Sequence, residues 1–301
     1  MQALLGLLKT MRPKQWTKNV LFVFPALFFD GQFFNTTPLL RVMGACGLLI
    51  LMSGTVYIIN DLVDIEKDKQ HPRKKNRPLP SGQLPIRLAQ AAAVIIPIVT
   101  LALAYALDTG LAAVLLIYLL IQIAYSFVLK NIVLLDVLTV TSGFVLRVLA
   151  GVVVIDVQNF SPWLYACSAL LALFLAVGKR RQELVTLGEQ ALQTRPIFKH
   201  YNIALLDDML RLVTTSTFLT YLLYTIEVDI GTFRGVQLSL LTVPFVLYGL
   251  FRYLYVIHVM GEGGAPDEVL LTDRSLQLAI VGWGITFLTL LYLLPQIGVG
   301  L

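Results

Sequence analysis

The sequence predicts an all-α, polytopic membrane protein with about nine transmembrane helices. Of its 301 residues, 57% are hydrophobic and 14% are charged, whereas soluble domains are about 25% charged. Apolar stretches of membrane-spanning length recur along the chain, and the Lys and Arg residues concentrate in alternate connections. Residues 1–301 are therefore predicted to form one transmembrane domain.

The predicted helices follow the apolar stretches in order. These lie at approximately residues 20–35, 41–60, 86–107, 111–129, 133–155, 162–178, 210–227, 238–260 and 276–295. The first is the weakest because Pro25 and Asp30 interrupt it. Proline is tolerated inside membrane helices because neighbouring groups satisfy the freed carbonyl, so Pro97 and Pro244 do not exclude helices. The N-terminal segment before them is predicted to be an amphipathic helix at the membrane interface.

The distribution of basic residues predicts the orientation. Cytoplasmic connections carry the Lys and Arg excess, and with nine helices and a cytoplasmic N-terminus only Arg41 and Arg234 fall outside. The long charged connections near residues 60–85, 178–209 and 261–275 then face the cytoplasm. The sequence thus predicts a multi-pass protein of the cell (inner or plasma) membrane with a cytoplasmic active site.

The motif "NDLVDIEKD" at residues 60–68 follows an apolar helix. If that helix continues, Asp61, Asp64 and Asp68 lie within about a 60° sector, and Glu66 points elsewhere. Three carboxylates on one face are unfavourable unless a cation neutralises them. Mg2+ suits such oxygen ligands together with substrate phosphates. The alternative is a solvated acidic helix end.

Five basic residues follow in "KQHPRKKNRPLPSG", residues 69–82. An acidic cluster followed by a basic one suits a metal-bound diphosphate, since cations bridge its oxygens while Arg and Lys hold the rest. Arg77, between Asn76 and Pro78, is the preferred candidate. The alternative is a basic anchor beside anionic lipids.

A third polar patch opens the predicted fifth helix. Helical spacing puts Asp136 and Arg147 on one stripe, about 16 Å apart along the axis. An arginine inside the membrane usually faces a polar cavity or a partner, so a lipid phosphate or a ribose phosphate is a candidate ligand. Tyr125 and Lys130 are candidates to close the same cavity. A purely structural salt bridge is the alternative.

Two further polar patches indicate a function less strongly. In "GKRRQEL", residues 178–184, Lys179, Arg180 and Arg181 are candidates to bind phosphate, or else a basic flank that ends a helix. The glycine-rich segment at residues 261–277 permits close approach of the backbone to a ligand. Neither a phosphate-binding glycine loop of the common nucleotide-binding types nor a zinc-type Cys and His cluster is present in the sequence. Nucleic-acid binding is not expected, because membrane orientation accounts for the net charge of +5.

These motifs resemble the UbiA superfamily of intramembrane prenyltransferases, whose nine-helix bundle carries "NDxxDxxxD" after the second helix. The resemblance extends over "RPKQWTKN" at residues 12–19, the acidic and basic motifs at 60–82, "GKRRQEL" and the glycine-rich segment. In these motifs the chain looks like the members of the superfamily that transfer phosphoribose. Quinone-type members carry a second aspartate-rich motif between helices six and seven, where this chain has "GKRRQEL".

The resemblance implies transfer of 5-phosphoribose from phosphoribosyl diphosphate (PRPP) to a polyprenyl (decaprenyl-type) phosphate in lipid-linked sugar and cell-wall biosynthesis. It implies Mg2+ as cofactor, with Asp61, Asp64 and Asp68 as ligands, and Asn60, Asp61 and Asp64 as catalytic residues. Together with the patches above, the predicted substrate-binding residues are Lys14, Lys18, Asn19, Tyr57, Arg73, Arg77, Tyr125, Lys130, Asp136, Arg147, Lys179 and Arg180. The partners implied are the two substrates and the lipid bilayer, and a homo-oligomer is compatible with the sequence.

Two other functions compete with this interpretation. Aromatic prenyl transfer to a quinone or haem precursor uses the same fold, but the second acidic motif is missing here. A transporter is the alternative from another class, in which Asp136 and Arg147 form an ion path. It predicts transmembrane flux without a chemical product.

Overall fold

The computed structural model describes residues 2–70, 74–157, 161–188, 196–228, 230–233, 235–261, 269–270 and 272–293. The secondary structure of the described chain is α-helical, with short 3-10 and π-helical segments, apart from one short antiparallel hairpin in which β1 (Thr232–Phe233) pairs with β2 (Val236–Gln237). The helices are α1 (Gln2–Thr10), α2 (Trp16–Val23), α3 (Pro25–Phe29), α4 (Thr36–Val63), α5 (Ile65–Gln70), α6 (Ile86–Leu107), α7 (Thr109–Phe127), α8 (Leu135–Val153), α9 (Pro162–Leu187), α10 (Ile203–Glu227), α11 (Val243–Tyr255) and α12 (Arg274–Leu288). The predicted all-α class is confirmed.

Seven helices of the described chain are long and apolar enough to cross a membrane. They are Thr36–Val63, Ile86–Leu107, Thr109–Phe127, Leu135–Val153, Pro162–Leu187, Leu238–Met260 and Arg274–Leu293. The prediction of a multi-pass membrane protein is confirmed, whereas the count of nine and the cytoplasmic N-terminus stay predictions. The first predicted stretch forms two short helices, α2 and α3, because Pro25 at the start of α3 has no N–H to continue the hydrogen-bond ladder of α2.

The outer faces of these helices are apolar. On α6, the side chains of Val94, Ile95, Ile98 and Leu103 are all more than half exposed. Soluble monomers rarely expose a contiguous apolar surface of this kind. Such a surface is suited to contact with lipid tails.

One compact unit comprises residues 1–129 and 143–159. Its core is formed by α4 with its neighbours, and Leu27, Leu49, Met52 and Leu115 are fully buried there. A Cβ atom on Gly151 of α8 would lie 2.0 Å from the carbonyl oxygen of Val23. Glycine therefore permits the backbones of α2 and α8 to approach closely.

The second compact unit comprises residues 130–142 and 160–301. Its core includes Phe174, Phe198, Leu206, Leu210 and Tyr253. The turn Pro196–His200 precedes α10, and the side chain of Asn202 caps that helix by accepting a hydrogen bond from the backbone N–H of Leu205. Helix α8 contributes residues to both units.

Candidate active site

The acidic motif lies where α4 ends and α5 begins. Asp61 is in the last turn of α4, Asp64 is its C-terminal cap, and Asp68 is in α5. The backbone N–H of Asp64 donates to Asn60 O at 3.0 Å, and that of Asp68 donates to Asp64 O at 2.8 Å. The side chains of Asp61 and Asp68 are only 4% and 3% exposed. Two carboxylates are therefore buried together at this helix junction.

Arg77 joins the two buried carboxylates. Its Nη1 lies 3.1 Å from Asp61 Oδ1 and 2.7 Å from Asp68 Oδ2. Lys74 Nζ lies 3.7 Å from the other oxygen of Asp68. One positive nitrogen of Arg77 therefore lies between the two acids, and the functional role of Arg77 stays a prediction.

Arg12 is a second cation of this cluster, and it is not among the residues predicted from the sequence to form the site. Its Nη2 lies 2.9 Å from Asp61 Oδ1, and its guanidinium lies over the ring of Tyr57, 4.4 Å from the centroid. The backbone of Arg12 is left-handed, with φ 53° and ψ 68°, at the turn between α1 and α2. That conformation is uncommon for residues other than glycine. The signal in the sequence was the basic "RPK" that opens the resemblance motif.

Asp64, the third aspartate of the motif, is half-buried at the C-terminal cap of α4. The described residues contain no group of three or more His, Cys, Asp or Glu side chains arranged to hold a metal ion. The backbone turns at the end of α4, where Asp64 has φ −94° and ψ 8°, so the uninterrupted helix assumed from the sequence does not hold. The predicted role of Asp64 in metal binding stays a prediction.

The buried pair still fits Mg2+. The ion commonly binds one or two carboxylates and completes its shell with waters and substrate phosphates. Asp61 and Asp68 offer such oxygens, and Arg77 Nη1 already places positive charge between them. The donor set therefore suits an ion that arrives with a phosphate ligand better than a preformed cage of three aspartates.

The remaining predicted residues of the donor site differ in solvent exposure. Lys14 is exposed in the turn Pro13–Gln15, and Lys18 is partly buried on α2. Arg73 lies outside the described residues. The predicted pocket residue Tyr125 is partly buried near the end of α7.

Arg147 is buried among neutral partners. Its Nε donates to Asn19 Oδ1 at 2.8 Å, its Nη1 to Gly143 O at 2.7 Å, and its Nη2 to Tyr118 OH at 2.9 Å. Asn19 in turn donates to Ser53 Oγ at 3.1 Å. Among the described residues of its unit, no carboxylate forms an ion pair with Arg147. A buried positive charge with only neutral partners is costly, so this position is suited to an anionic ligand.

Asp136 pairs with Arg180. Arg180 Nε lies 2.7 Å from Asp136 Oδ2, and Arg180 Nη1 lies 2.8 Å from Glu183 Oε2. Tyr201, which the sequence analysis missed, donates its hydroxyl to Asp136 Oδ1 at 2.7 Å. Burial and the hydrogen bond to Asp136 raise the pKa of Tyr201 to about 12, so the hydroxyl keeps its proton at neutral pH.

The second unit also contains the other predicted basic residues. Lys179 is exposed near the end of α9, and Lys130 is partly buried in the turn Leu129–Asn131. Arg181 Nε lies 2.5 Å from Asp207 Oδ1, and its Nη2 lies 3.0 Å from His258 Nδ1. The charges of Arg180 and Arg181 are thus directed to carboxylates of the protein.

The glycine-rich segment lies largely outside the described residues, which omit 262–268 and 271. Its described end contains Asp273, whose carboxylate accepts hydrogen bonds from the guanidinium of Arg252, the shortest at 2.8 Å. The same carboxylate accepts from the backbone N–H of Leu276 at 2.7 Å and so caps α12. The hydrogen bond from Arg252 lowers the pKa of Asp273.

Known proteins resemble the chain over nearly its whole length. A decaprenyl-phosphate phosphoribosyltransferase of Corynebacterium glutamicum is 31% identical over 295 residues, covering 97% of this chain and 88% of the relative. A protein of the same name from Mycobacterium tuberculosis is 32% identical over 281 residues, covering 92% and 91%. The prediction of a transferase of this type is supported by these relatives.

The fold has a solved counterpart. A UbiA homologue from Archaeoglobus fulgidus, whose structure contains DMAPP and Mg2+, superimposes with a TM-score of 0.67 and covers 95% of this chain and 96% of its own. The two sequences are 18% identical, so the likeness concerns the fold. The family model of the UbiA prenyltransferase family matches residues 19–263. The chain belongs to the UbiA prenyltransferase family.

Proposed function

We propose that the protein transfers 5-phosphoribose from PRPP to a polyprenyl phosphate of the decaprenyl type and releases diphosphate, in a reaction that depends on Mg2+. The observation that carries the proposal is the buried pair of Asp61 and Asp68 held by Arg12 and Arg77. Such a cluster combines oxygen ligands for a metal with donors for phosphate oxygens. The relatives named as decaprenyl-phosphate phosphoribosyltransferases support the choice of substrates.

The proposed reaction exchanges one C–O bond for another. The bond between the anomeric carbon of the ribose and the diphosphate breaks, and its electron pair leaves with the diphosphate. An oxygen of the lipid phosphate forms the new bond to that carbon. Because the attacking oxygen is already anionic, no general base is required, and alignment with charge neutralisation supplies the rate.

The proposed binding residues form two sets, one for the phosphates of the donor PRPP and one for the phosphate of the lipid acceptor. Asp61 and Asp68, together with Asp64 as predicted, would hold Mg2+, which would supply positive charge to the leaving diphosphate. Arg77, together with Lys14, Lys18 and Arg73 as predicted, binds the donor phosphates. Arg147 binds the single phosphate of the acceptor, because it is a buried cation whose described partners within its unit are all neutral.

The location of the reaction follows from its substrates. PRPP is water-soluble and cytoplasmic in origin, and the charged connection that carries the acidic motif is predicted to face the cytoplasm. We therefore place the active site on the cytoplasmic side of the cell membrane. The lipid-linked pentose phosphate then serves as a precursor of ribose or arabinose donors for cell-wall polysaccharide.

The test is a product assay with the purified full-length protein. Incubation with labelled PRPP, Mg2+ and a polyprenyl phosphate is expected to give a labelled lipid, and chelation of Mg2+ is expected to abolish it. Asp61→Asn and Asp68→Asn are expected to lose the product, and Asp64→Asn tests the predicted third ligand. Glu66→Gln is the matched control, since Glu66 is an exposed acid of the same motif that pairs with Lys69.

Two results would overturn the proposal. One is full turnover in both Asp61→Asn and Asp68→Asn, which would remove the acidic pair from the reaction. The other is transfer of a prenyl group from a prenyl diphosphate to an aromatic acceptor in place of any labelled lipid.

A further inference from the structure

The buried aspartates already have cationic partners within the protein. Among the described residues, Asp61 and Asp68 together contact three cations, Arg12, Arg77 and Lys74. Their charges are therefore more than balanced before any ligand binds. A divalent ion added alone would bring two further positive charges to these five described side chains, which together have a net charge of +1, and close like charges repel strongly where solvent is limited.

The cations and the acids differ in exposure. The side chains of Asp61 and Asp68 are almost fully buried, whereas those of Arg12 and Arg77 are 35% and 30% exposed. The carboxylates are therefore fixed, while the guanidinium groups border solvent and have room to change partners. Arginine is suited to such an exchange because its planar donors fit carboxylate and phosphate oxygens equally.

We infer that Arg12 and Arg77 are exchangeable counter-ions of Asp61 and Asp68. They neutralise the two carboxylates before the donor binds, and they transfer to the donor phosphates when the carboxylates take up Mg2+ together with the donor. This inference rests on the proposed function and adds Arg12 to the donor-binding residues. It requires the metal to bind weakly alone and tightly with the donor, because the free energies of the two binding events are coupled.

The position of Arg12 favours a specific role in this exchange. Its left-handed backbone and its stacking on Tyr57 hold the guanidinium beside Asp61 at the turn after α1. Release of both guanidinium groups, of Arg12 and of Arg77, toward phosphates leaves Asp61 Oδ1 open to a metal ion. The turn between α1 and α2 thereby takes part in donor binding without itself contributing a carboxylate.

The test measures metal binding without turnover. Mn2+ is titrated into the purified full-length protein in the absence of PRPP, and the EPR signal of the free ion gives its affinity. Arg77→Gln and Arg12→Gln are each expected to bind Mn2+ roughly tenfold or more tightly than the unaltered protein. In each variant a charged hydrogen bond from arginine no longer competes with Mn2+ for the carboxylate oxygens. Lys69→Gln removes a nearby positive charge that pairs with Glu66 and is expected to leave the affinity unchanged.

The change in melting temperature on addition of Mn2+ tests the same inference in variants that fold poorly. If Arg77→Gln leaves the carboxylates inadequately neutralised, Mn2+ alone is expected to raise its Tm by more than it raises that of the unaltered protein, since a ligand that binds only the folded state stabilises it. The inference is overturned if neither arginine variant binds Mn2+ more tightly, or is stabilised more by it, than the Lys69→Gln control.

A second arm separates this inference from the identity of the donor. Mn2+ binding is compared with and without PRPP, and with and without a prenyl diphosphate. Stronger Mn2+ binding with PRPP supports both proposals. Stronger binding with the prenyl diphosphate alone overturns PRPP as donor but supports the exchange of arginines. Equal Mn2+ affinity with and without either diphosphate overturns the exchange.

Discussion

Nε of Arg180 lies 2.7 Å from Oδ2 of Asp136, and the two side chains are only 5% and 0% exposed. From the sequence, both residues were candidates for substrate binding. In the structure, Tyr201 donates a hydrogen bond to Asp136, and Glu183 forms an ion pair with Arg180. An arginine held by two carboxylates has little positive charge left for a phosphate. We therefore interpret this cluster as structural: it holds α8, α9 and the segment before α10 together.

Arg180→Met is expected to destabilise the protein by about 3–5 kcal/mol, because it leaves Asp136 buried without its cation. The double variant Asp136→Leu with Arg180→Met is expected to recover most of that loss. Thermal unfolding of the purified variants measures both. Arg211→Gln is the control, since Arg211 pairs with Asp208 at the surface and such exposed pairs contribute about 0–1 kcal/mol. If Arg180→Met left the stability unchanged and raised the KM for PRPP, Arg180 would instead be a substrate-binding residue.

Arg147→Gln is expected to lower kcat/KM for the polyprenyl phosphate by roughly 10- to 100-fold, since a hydrogen bond to a charged group contributes about 1.5–3 kcal/mol. The KM for PRPP is expected to change little. Tyr118→Phe removes the 2.9 Å contact to Arg147 Nη2 but keeps the ring, so a smaller loss with the same acceptor dependence is expected. Steady-state kinetics with each substrate varied separately distinguish these effects. A loss of stability with unaltered acceptor kinetics would show that Arg147 has a structural role only.

Gly151→Ala is expected to destabilise the protein by about 1–3 kcal/mol, because overpacking forces the backbone to move. The added methyl group would lie 2.0 Å from the carbonyl oxygen of Val23, which cannot move aside as a flexible side chain can. Gly47→Ala is the matched control within α4, where nothing lies within 4 Å of the added atom. Comparison of the two melting temperatures tests the close approach of α2 and α8, and equal values would contradict it.

Asp273 is expected to give a stability that depends on pH. Its pKa is lowered in the folded state by the hydrogen bond from Arg252, so its contribution is present above the unfolded pKa of about 3.9 and is lost as the pH falls through the folded value. Asp273→Asn retains an acceptor for the helix cap but not the charge. The difference in Tm between this variant and the unaltered protein should therefore shrink as the pH falls from 7 toward 3. A difference that is constant over this range would assign the effect to the cap alone.

Local patterns predicted a large part of this protein. The apolar stretches indicated the membrane helices, and seven of them are helices of spanning length. Pro25 marked the weakest stretch, which forms two short helices. The acidic and basic motifs indicated a cluster at the end of α4, and Arg77 contacts Asp61 and Asp68 there. The predictions of the helical class and of a multi-pass membrane protein were confirmed because they depend on composition and on residues close in the sequence, whereas the role of the acidic and basic motifs stays a prediction.

The sequence by itself determined the membrane class, the family resemblance and the position of the acidic motif, since apolar length and motif spacing are local properties. Only the tertiary structure decided which charges meet: Arg12 reaches Asp61 from 49 residues away, and Arg180 reaches Asp136 from 44. The physical reason is that helical periodicity fixes the face on which a side chain lies, whereas its partner depends on how each helix is rotated and shifted against its neighbours, and on where the backbone turns.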